Sequence, residues 1–227
     1  MKIVFDHING WGKVSDQDVI VSYPHGELQT GDRVTDVLDQ GWIPWDDKWY
    51  NIRSVRINVS EYKPSKTVLK LSKGVNAIFH YWNDIDEEAY KEVFEKYCTY
   101  RGFKRTITWE QIFTGNAISY YRKGKLIGFS CVDVYPKDFV VTQFAWDYEE
   151  PRLSLGKIAQ MYEIKMADGM DAGYVYVLGG YESCCLYKSD FKGFEWWTGE
   201  EWSRDVSLYR TLCERDDRII LKNAHDL

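Results

Sequence analysis

The sequence predicts an α+β fold, a mixed central sheet flanked by helices, and three observations between Ala117 and Cys184 carry that prediction. First, Tyr120–Lys123 and Leu126–Tyr135 are rich in aromatic and β-branched residues and flank the short turn Lys123-Gly124-Lys125. Pro136-Lys137-Asp138 marks a second turn before the strand-like run FVVTQFAW. Second, the period changes at Leu155. Ile158, Met161, Tyr162, Lys165 and Met166 fall at i, i+3, i+4, i+7 and i+8, a stripe that one helix can bury. Third, Asp168-Gly169 and Ala172-Gly173 stop that helix before YVYVLGG, a further aromatic strand ending at Gly179-Gly180.

The other elements follow in order. KIVFDHI and DVIVSY read as short strands, and GELQTGDRV as a turn-rich connection. Leu38 to Trp49 reads as a Trp-rich loop plugging one end of the core. Ile52, Ser54, Arg56 and Asn58 then alternate with Arg53, Val55, Ile57 and Val59. That pattern predicts a half-buried strand with Arg53 on its apolar side, either salt-bridged or reaching into a site. Pro64 breaks the strand, and Ser65 is placed to cap a short helix. Residues 74–85 read as a loop with aromatic anchors. Asp84 to Arg101 is the clearest helix, with Asp86 as cap, Glu87 and Glu88 on the N-terminal dipole, and Tyr90, Phe94, Tyr97 and Cys98 facing inward. Residues 104–114 read as connecting sequence. SCCLYKSDFKGFEWWTGEEW reads as a long loop, and the tail as one strand or short helix with a frayed end. The expected division is an N-terminal α/β region over 1–75 and a core over 76–227.

Composition excludes several functions. With 29 Lys and Arg against 35 Asp and Glu, the net charge is −6, which argues against a general nucleic-acid binder. Lys63, Lys66, Lys70 and Lys73 nevertheless cluster without an intervening acid, as a basic patch or a solvated helix face. The 10 Trp and 17 Tyr supply core area, and such rings also line pockets that stack bases. Five cysteines without CxxC or CxxH spacing predict no zinc or iron–sulfur site and suit a reducing compartment. Met1 to Asn9 does not read as a signal peptide, and no run reaches ~18 apolar residues. The expectation is a cytoplasmic protein with no metal and no membrane partner.

Two stretches resemble the arginyl-tRNA–protein transferase family and its leucyl-transferring relatives. YNIRSVRINVSEYKPSK, Tyr50 to Lys66, is similar to that family's Y-x-I-R-x-x-x-x-x-F-x-P-S-K segment. Farther on, the family's order is tracked by Glu95–Tyr97, Asp133, Ala145-Trp146-Asp147, the LSLG of Leu153 to Gly156, Tyr176 to Tyr181 before Ser183-Cys184, and Phe191-Lys192-Gly193. The resemblance implies a GNAT-like acyltransferase fold that takes an amino acid from aminoacyl-tRNA and gives it to an amine, usually a peptide or protein N-terminus. It requires no further cofactor. Two departures stand out. The family's N-terminal cysteine cluster is absent, with Asp46-Asp47 where paired cysteines are usual, and Glu195-Trp196-Trp197 replaces an arginine and proline.

An aminoacyl ester is already activated, so its aminolysis needs positioning, a neutral amine and oxyanion stabilisation more than covalent help. Candidate acid–base groups are Asp133, Asp147, Tyr181 and Glu182, and backbone N–H groups over Phe144 to Asp147 are candidates for the oxyanion. Candidate substrate contacts are Arg53, Lys63, Ser65, Lys66, Trp146, Gly156, Lys157, Gly179, Ser183 and Lys192. Cys184 reads as packed rather than nucleophilic, with His80 and His225 remote in sequence. Two alternatives stay open. An N-acyltransferase would use acyl-CoA on a small amine or modified nucleobase, although Leu153 to Ile158 keeps only Gly156 of the usual pyrophosphate-cradling pattern. A catalytically inactive GNAT-like binding module would fill its pocket with Trp146, Trp196 or Trp197.

Overall fold

The computed structural model describes residues 2–5, 24–45, 48–101, 109–113, 115–179 and 183–225. In chain order these form β1 (Lys2–Phe5), β2 (Pro24–Glu27), α1 (Val34–Asp39), β3 (Trp42–Trp45), β4 (Lys48–Asn51), β5 (Ser54–Asn58), α2 (Lys66–Leu71), β6 (Val75–His80), α3 (Glu87–Arg101), α4 (Trp109–Ile112), β7 (Asn116–Arg122), β8 (Lys125–Tyr135), β9 (Asp138–Trp146), α5 (Leu155–Gly169), β10 (Tyr174–Gly179), β11 (Phe194–Trp197), β12 (Trp202–Ser203) and α6 (Val206–His225). The class is α+β, with a large mixed sheet flanked by helices. The DVIVSY expectation lies outside the described residues. The chain divides into two compact units, Val59–Val175 and Met1–Asn58 with Tyr176–Leu227.

In the unit Val59–Val175, four antiparallel strands run in the order β6-β7-β8-β9. Lys123 and Gly124 both take positive φ between the paired Arg122 and Lys125, as a two-residue I′ hairpin turn requires. Because side chains alternate along a strand, β8 serves both faces. Phe129 and Cys131 pack with Tyr90, Val93 and Phe94 of α3. Ser130 points to the other face, where its hydroxyl donates to Glu163 of α5 at 2.6 Å. Asp86 caps α3 as expected, accepting from the Ala89 N–H at 3.2 Å, and Ser65 caps α2 by accepting from the Val68 N–H at 3.2 Å.

The buried face of α5 is wider than the predicted stripe. Leu155, Ile158, Ala159, Gln160, Met161, Glu163, Ile164 and Ala167 are buried, whereas Lys165 is exposed and Tyr162 and Met166 are half-buried. The helix packs on β8 and β9 and also on α2, so two neighbours share its surface. Residues 75–80 form a paired strand rather than a loop, β6, which was missed because only Val75 is fully buried. The connecting segment also contains a short helix, α4.

In the other unit, β1, β2, β4 and β3 form a small antiparallel sheet, in that order. The expected Trp-rich loop is therefore the end of α1 followed by the β3–β4 hairpin. Strands β12, β11 and β5 pair antiparallel, with β10 beside β5. The predicted alternation of β5 fails, because Ser54, Val55, Arg56 and Ile57 are all buried. Arg56 tolerates this through its pairing partner on β11. Its Nε donates to Glu195 Oε2 at 2.8 Å, its Nη1 to Asp39 Oδ1 at 3.1 Å, and its guanidinium lies 4.1 Å from the centre of the Trp202 ring. Trp196 and Trp197 are core residues of this unit, donating from Nε1 to Asp205 O and Asn51 Oδ1. The tail is a full helix, α6, with Tyr209 and Cys213 buried.

Candidate functional site

The candidate site lies in the unit Val59–Val175, where β9 ends and α5 begins. Gly128 makes the approach of these elements possible: a Cβ there would stand 2.7 Å from Leu155 Cδ2 and 2.9 Å from both Ala145 O and Trp146 Cβ. After Trp146 the chain leaves the sheet through Tyr148, at φ 55°, and a single helical turn over Pro151–Leu153. Ser154, at φ 54°, then turns the chain into α5. The first-turn N–H groups of a helix have no intrahelical acceptor and favour negative charge, and α5 presents such groups at Leu155 and Gly156.

A cavity of about 140 Å³ opens at this end, lined by Arg122, Lys125, Trp146, Asp147, Glu149 and Leu153. Its charges are interleaved. Lys125 Nζ is 3.3 Å from Asp147 Oδ2 and 2.5 Å from Glu149 Oε2, and Arg122 Nη1 is 3.1 Å from Glu150 Oε2. Asp147 is a buried carboxylate whose Oδ1 also accepts from the Glu149 N–H at 3.2 Å. Its own N–H donates to Ile127 O at 3.0 Å, so that amide is engaged in the sheet rather than offered to an oxyanion.

Trp146 and Asp147 line this cavity together with Leu153, and Gly156 and Lys157 lie in the first turn of α5 that follows. Asp133 belongs elsewhere. It is five residues along β8 from Gly128, the partner of Trp146, which at strand rise is roughly 17 Å. There it sits against Gly115, and burial pushes its carboxyl up to about 6. Lys63, Ser65 and Lys66 lie on the segment entered beside Gly173, where the Val59 N–H donates to Gly173 O, past the C-terminal end of α5. Lys63 and Lys66 are exposed.

In the other unit, Arg53 is half-buried, with Nη1 3.9 Å from Cys213 Sγ, and does not lie on an apolar strand face. The Gly179 backbone lies close to Ile52 and Arg53, and its carbonyl accepts from Lys188 Nζ at 3.3 Å. Lys192 is exposed, and Ser183 opens the short helical segment Ser183–Asp190. Tyr181 and Glu182 lie outside the described residues, as does the Cys184 side chain. Cys98 and Cys131 are free thiols, and burial pushes the Cys131 thiol well above its ordinary range.

Sequence reasoning missed two features of this unit. One is a buried polar cluster in which Tyr120 OH, Ser130 Oγ and Glu163 Oε1 lie within 2.6–3.3 Å of one another. A Glu inside an otherwise apolar helix stretch was the available signal. The other is the left-handed Tyr148, for which a non-glycine sequence gives no signal. Among the described residues, no group of three or more His, Cys, Asp or Glu could hold a metal, and no helix is long and apolar enough to cross a membrane.

The antiparallel strands β6 to β9 followed by α5 and β10 run in the acetyltransferase-like (GNAT) order. Residues 75–198, more than half of the chain, match the family described as arginine-tRNA-protein transferase, C terminus, and the chain belongs to that family. A comparison with curated proteins finds no significant match.

Among solved structures, the chain is similar to the C-terminal domain of a protein assigned as a lysylphosphatidylglycerol synthetase from Agrobacterium fabrum. That likeness has 8% identity and a TM-score of 0.48, over 56% of this chain and 46% of that one. It is also similar to L-PGS from Bacillus licheniformis, at 7% identity and a TM-score of 0.46, over 63% and 48%. A third is a GCN5-related glucosamine N-acetyltransferase region of a fungal multi-domain β-N-acetylglucosaminidase, at 11% and 0.47, over 72% and 21%. The chain spans less than half the length of each, and the functional reading rests on the family match instead.

Proposed function

We propose that the protein transfers an amino acid, arginine being the first to test, from aminoacyl-tRNA to an amine acceptor such as a peptide N-terminus. The observation that carries this reading is the family match over residues 75–198, which runs through the site built by Trp146, Asp147 and the start of α5. In the reaction the acceptor nitrogen bonds to the ester carbonyl carbon. The carbon–oxygen bond to the tRNA ribose then breaks, and the proton lost by the amine ends on the leaving ribose hydroxyl. Asp147 is the group assigned to take that proton from the attacking amine, with Lys125 holding the carboxylate in place. The first-turn N–H groups of α5 face the negative charge of the donor's phosphate or the developing oxyanion. The donor would be met in the cytoplasm.

The test is transfer of labelled amino acids from a mixed charged-tRNA pool to peptides beginning with Asp, Glu, Lys or Arg, with labelled acetyl-CoA in parallel. Label that reaches peptide from tRNA and is abolished by RNase supports the reading and names the acceptor. Label arriving only from acetyl-CoA replaces it with ordinary acyl transfer.

A further inference from the structure

Beside the cavity, Tyr148 is stacked on Tyr100, with Tyr97 6.2 Å away, and packs against Trp146 at a tilt of 39°. Tyr148 lies 4.1 Å from the Trp146 ring on one side and 3.7 Å from the Tyr100 ring on the other, with Tyr100 and Tyr148 only 10° from parallel. Side chains two apart on an extended strand are separated by roughly 6.6 Å of backbone rise, so a plain continuation of β9 would leave Trp146 and Tyr148 apart. The left-handed turn at Tyr148 closes that gap. A bulky residue at φ 55° is strained, and strain of this kind is retained where a geometry is used.

The stack runs from inside to outside. Trp146 is buried, Tyr148 half-buried, and Tyr100, at the end of α3, is 61% exposed. Among the described residues, Tyr148 is the ring that covers Tyr100, on one of its faces. The stack adjoins the hairpin turn: Trp146 lines the same cavity as Arg122, Lys123 and Lys125, of which Arg122 and Lys125 are held by Glu150, Asp147 and Glu149, while Lys123 is exposed at the hairpin tip. A flat, pre-positioned ring beside cations is how proteins hold single-stranded nucleic acid: the ring takes the face of a base and the cation takes the neighbouring phosphate.

We infer that Tyr100, Tyr148 and Trp146 form a platform on which an unpaired nucleobase at the 3′ end of the donor tRNA stacks, with Lys123 facing its backbone. This rests on the proposed transfer from tRNA and adds the place where the donor's end is held. A base inside a duplex has both faces covered, so the platform selects the unpaired end. Stacking accepts any base, so it fixes position without reading sequence.

The test is the affinity of the full-length protein, by fluorescence anisotropy, for uncharged tRNA and for the same tRNA shortened by its unpaired 3′ nucleotides. Tyr100→Ala weakens binding of the intact tRNA by about tenfold and leaves the shortened tRNA unchanged, while Tyr100→Phe, which keeps the ring, binds like wild type. Intact and shortened tRNA weakened equally, or neither weakened, overturns the platform while the transfer reading stands. Wild-type protein that binds no tRNA overturns both. A raised KM for the peptide acceptor with unchanged tRNA affinity assigns the stack to the acceptor and also overturns the proposal.

Discussion

Asp133 shows how one side chain sets a pH dependence. Burial raises its carboxyl from 3.8 to about 6. That rise corresponds to about 3 kcal/mol. Native Asp133 therefore holds its proton more tightly than the unfolded chain does. The stability this adds is complete below pH 3.8 and is lost as the pH rises through about 6. Asp133→Asn cannot ionise, so it should match wild type near pH 4 and exceed it by up to about 3 kcal/mol at pH 8. Urea unfolding at pH 4, 5, 6 and 8 checks this, and a difference that does not change with pH would assign the effect to packing. The Arg56–Glu195 pair is a different case, in which two buried charges face each other. Glu195 is buried and also accepts from Arg204 Nη2 at 2.7 Å, so Glu195→Ala leaves the Arg56 guanidinium buried without its main partner. The expected loss is about 3 kcal/mol, read as a lowered Tm, and larger than that for the half-exposed Arg204→Ala.

At the scale of elements, the register between β8 and α5 matters most, because it places Trp146 and Asp147 beside the helix start. Gly128→Ala puts a methyl group 2.9 Å from the backbone oxygen of Ala145, which cannot swing aside as Leu155 can. We expect a loss of about 1–3 kcal/mol from overpacking, together with a fall in transfer kcat/KM larger than that produced by an exposed control such as Lys165→Ala. A variant destabilised but fully active at low temperature would show that the approach of α5 is structural only. Elements such as α3, α5 and the β7–β8–β9 meander were legible because one side of each is apolar and their turns carry Gly, Pro or Asp. Ser65 and Asp86 were legible as caps because they precede helices with little competing pattern. The strands β3 and β11 were not legible, because WIPW and FEWW are buried at nearly every position, Glu195 included, and show no period. Helix α6 was hidden for the opposite reason: only Tyr209 and Cys213 are buried in its first ten residues. Its start did carry a signal, since Asp205 Oδ1 accepts from the Leu208 N–H at 2.9 Å, an acid cap readable in RDVSL. Of the site, Trp146, Asp147 and Gly156 were legible through motif order, whereas Tyr100 and Tyr148 meet only through a left-handed turn and the end of another helix.

For the whole molecule, a net charge of −6 sets a limit on how the protein can hold a polyanion. Each phosphate neutralised by a cation adds about 0.9 to the slope of log affinity against log salt. The hairpin offers Arg122, Lys123 and Lys125, two of which are already held by Glu149, Glu150 and Asp147. The exposed Lys63, Lys66, Lys70 and Lys73 form another basic group, but the chain reaches their segment from beside Gly173, at the opposite end of α5 from the cavity. If the donor is held at the hairpin end, the salt slope for tRNA should be shallow, about −3 or less in magnitude. Lys123→Glu should reduce that slope by about 1, and the pair Lys66→Glu and Lys70→Glu should leave it unchanged. A slope near −6 that collapses in the Lys66/Lys70 pair would instead place the tRNA body along α2 and extend the donor surface over the full length of α5. Stacking of a base on Tyr100 involves no ion release, so Tyr100→Ala should weaken binding equally at low and high salt. Measured together, the two series separate the backbone contacts from the hold on the 3′ end.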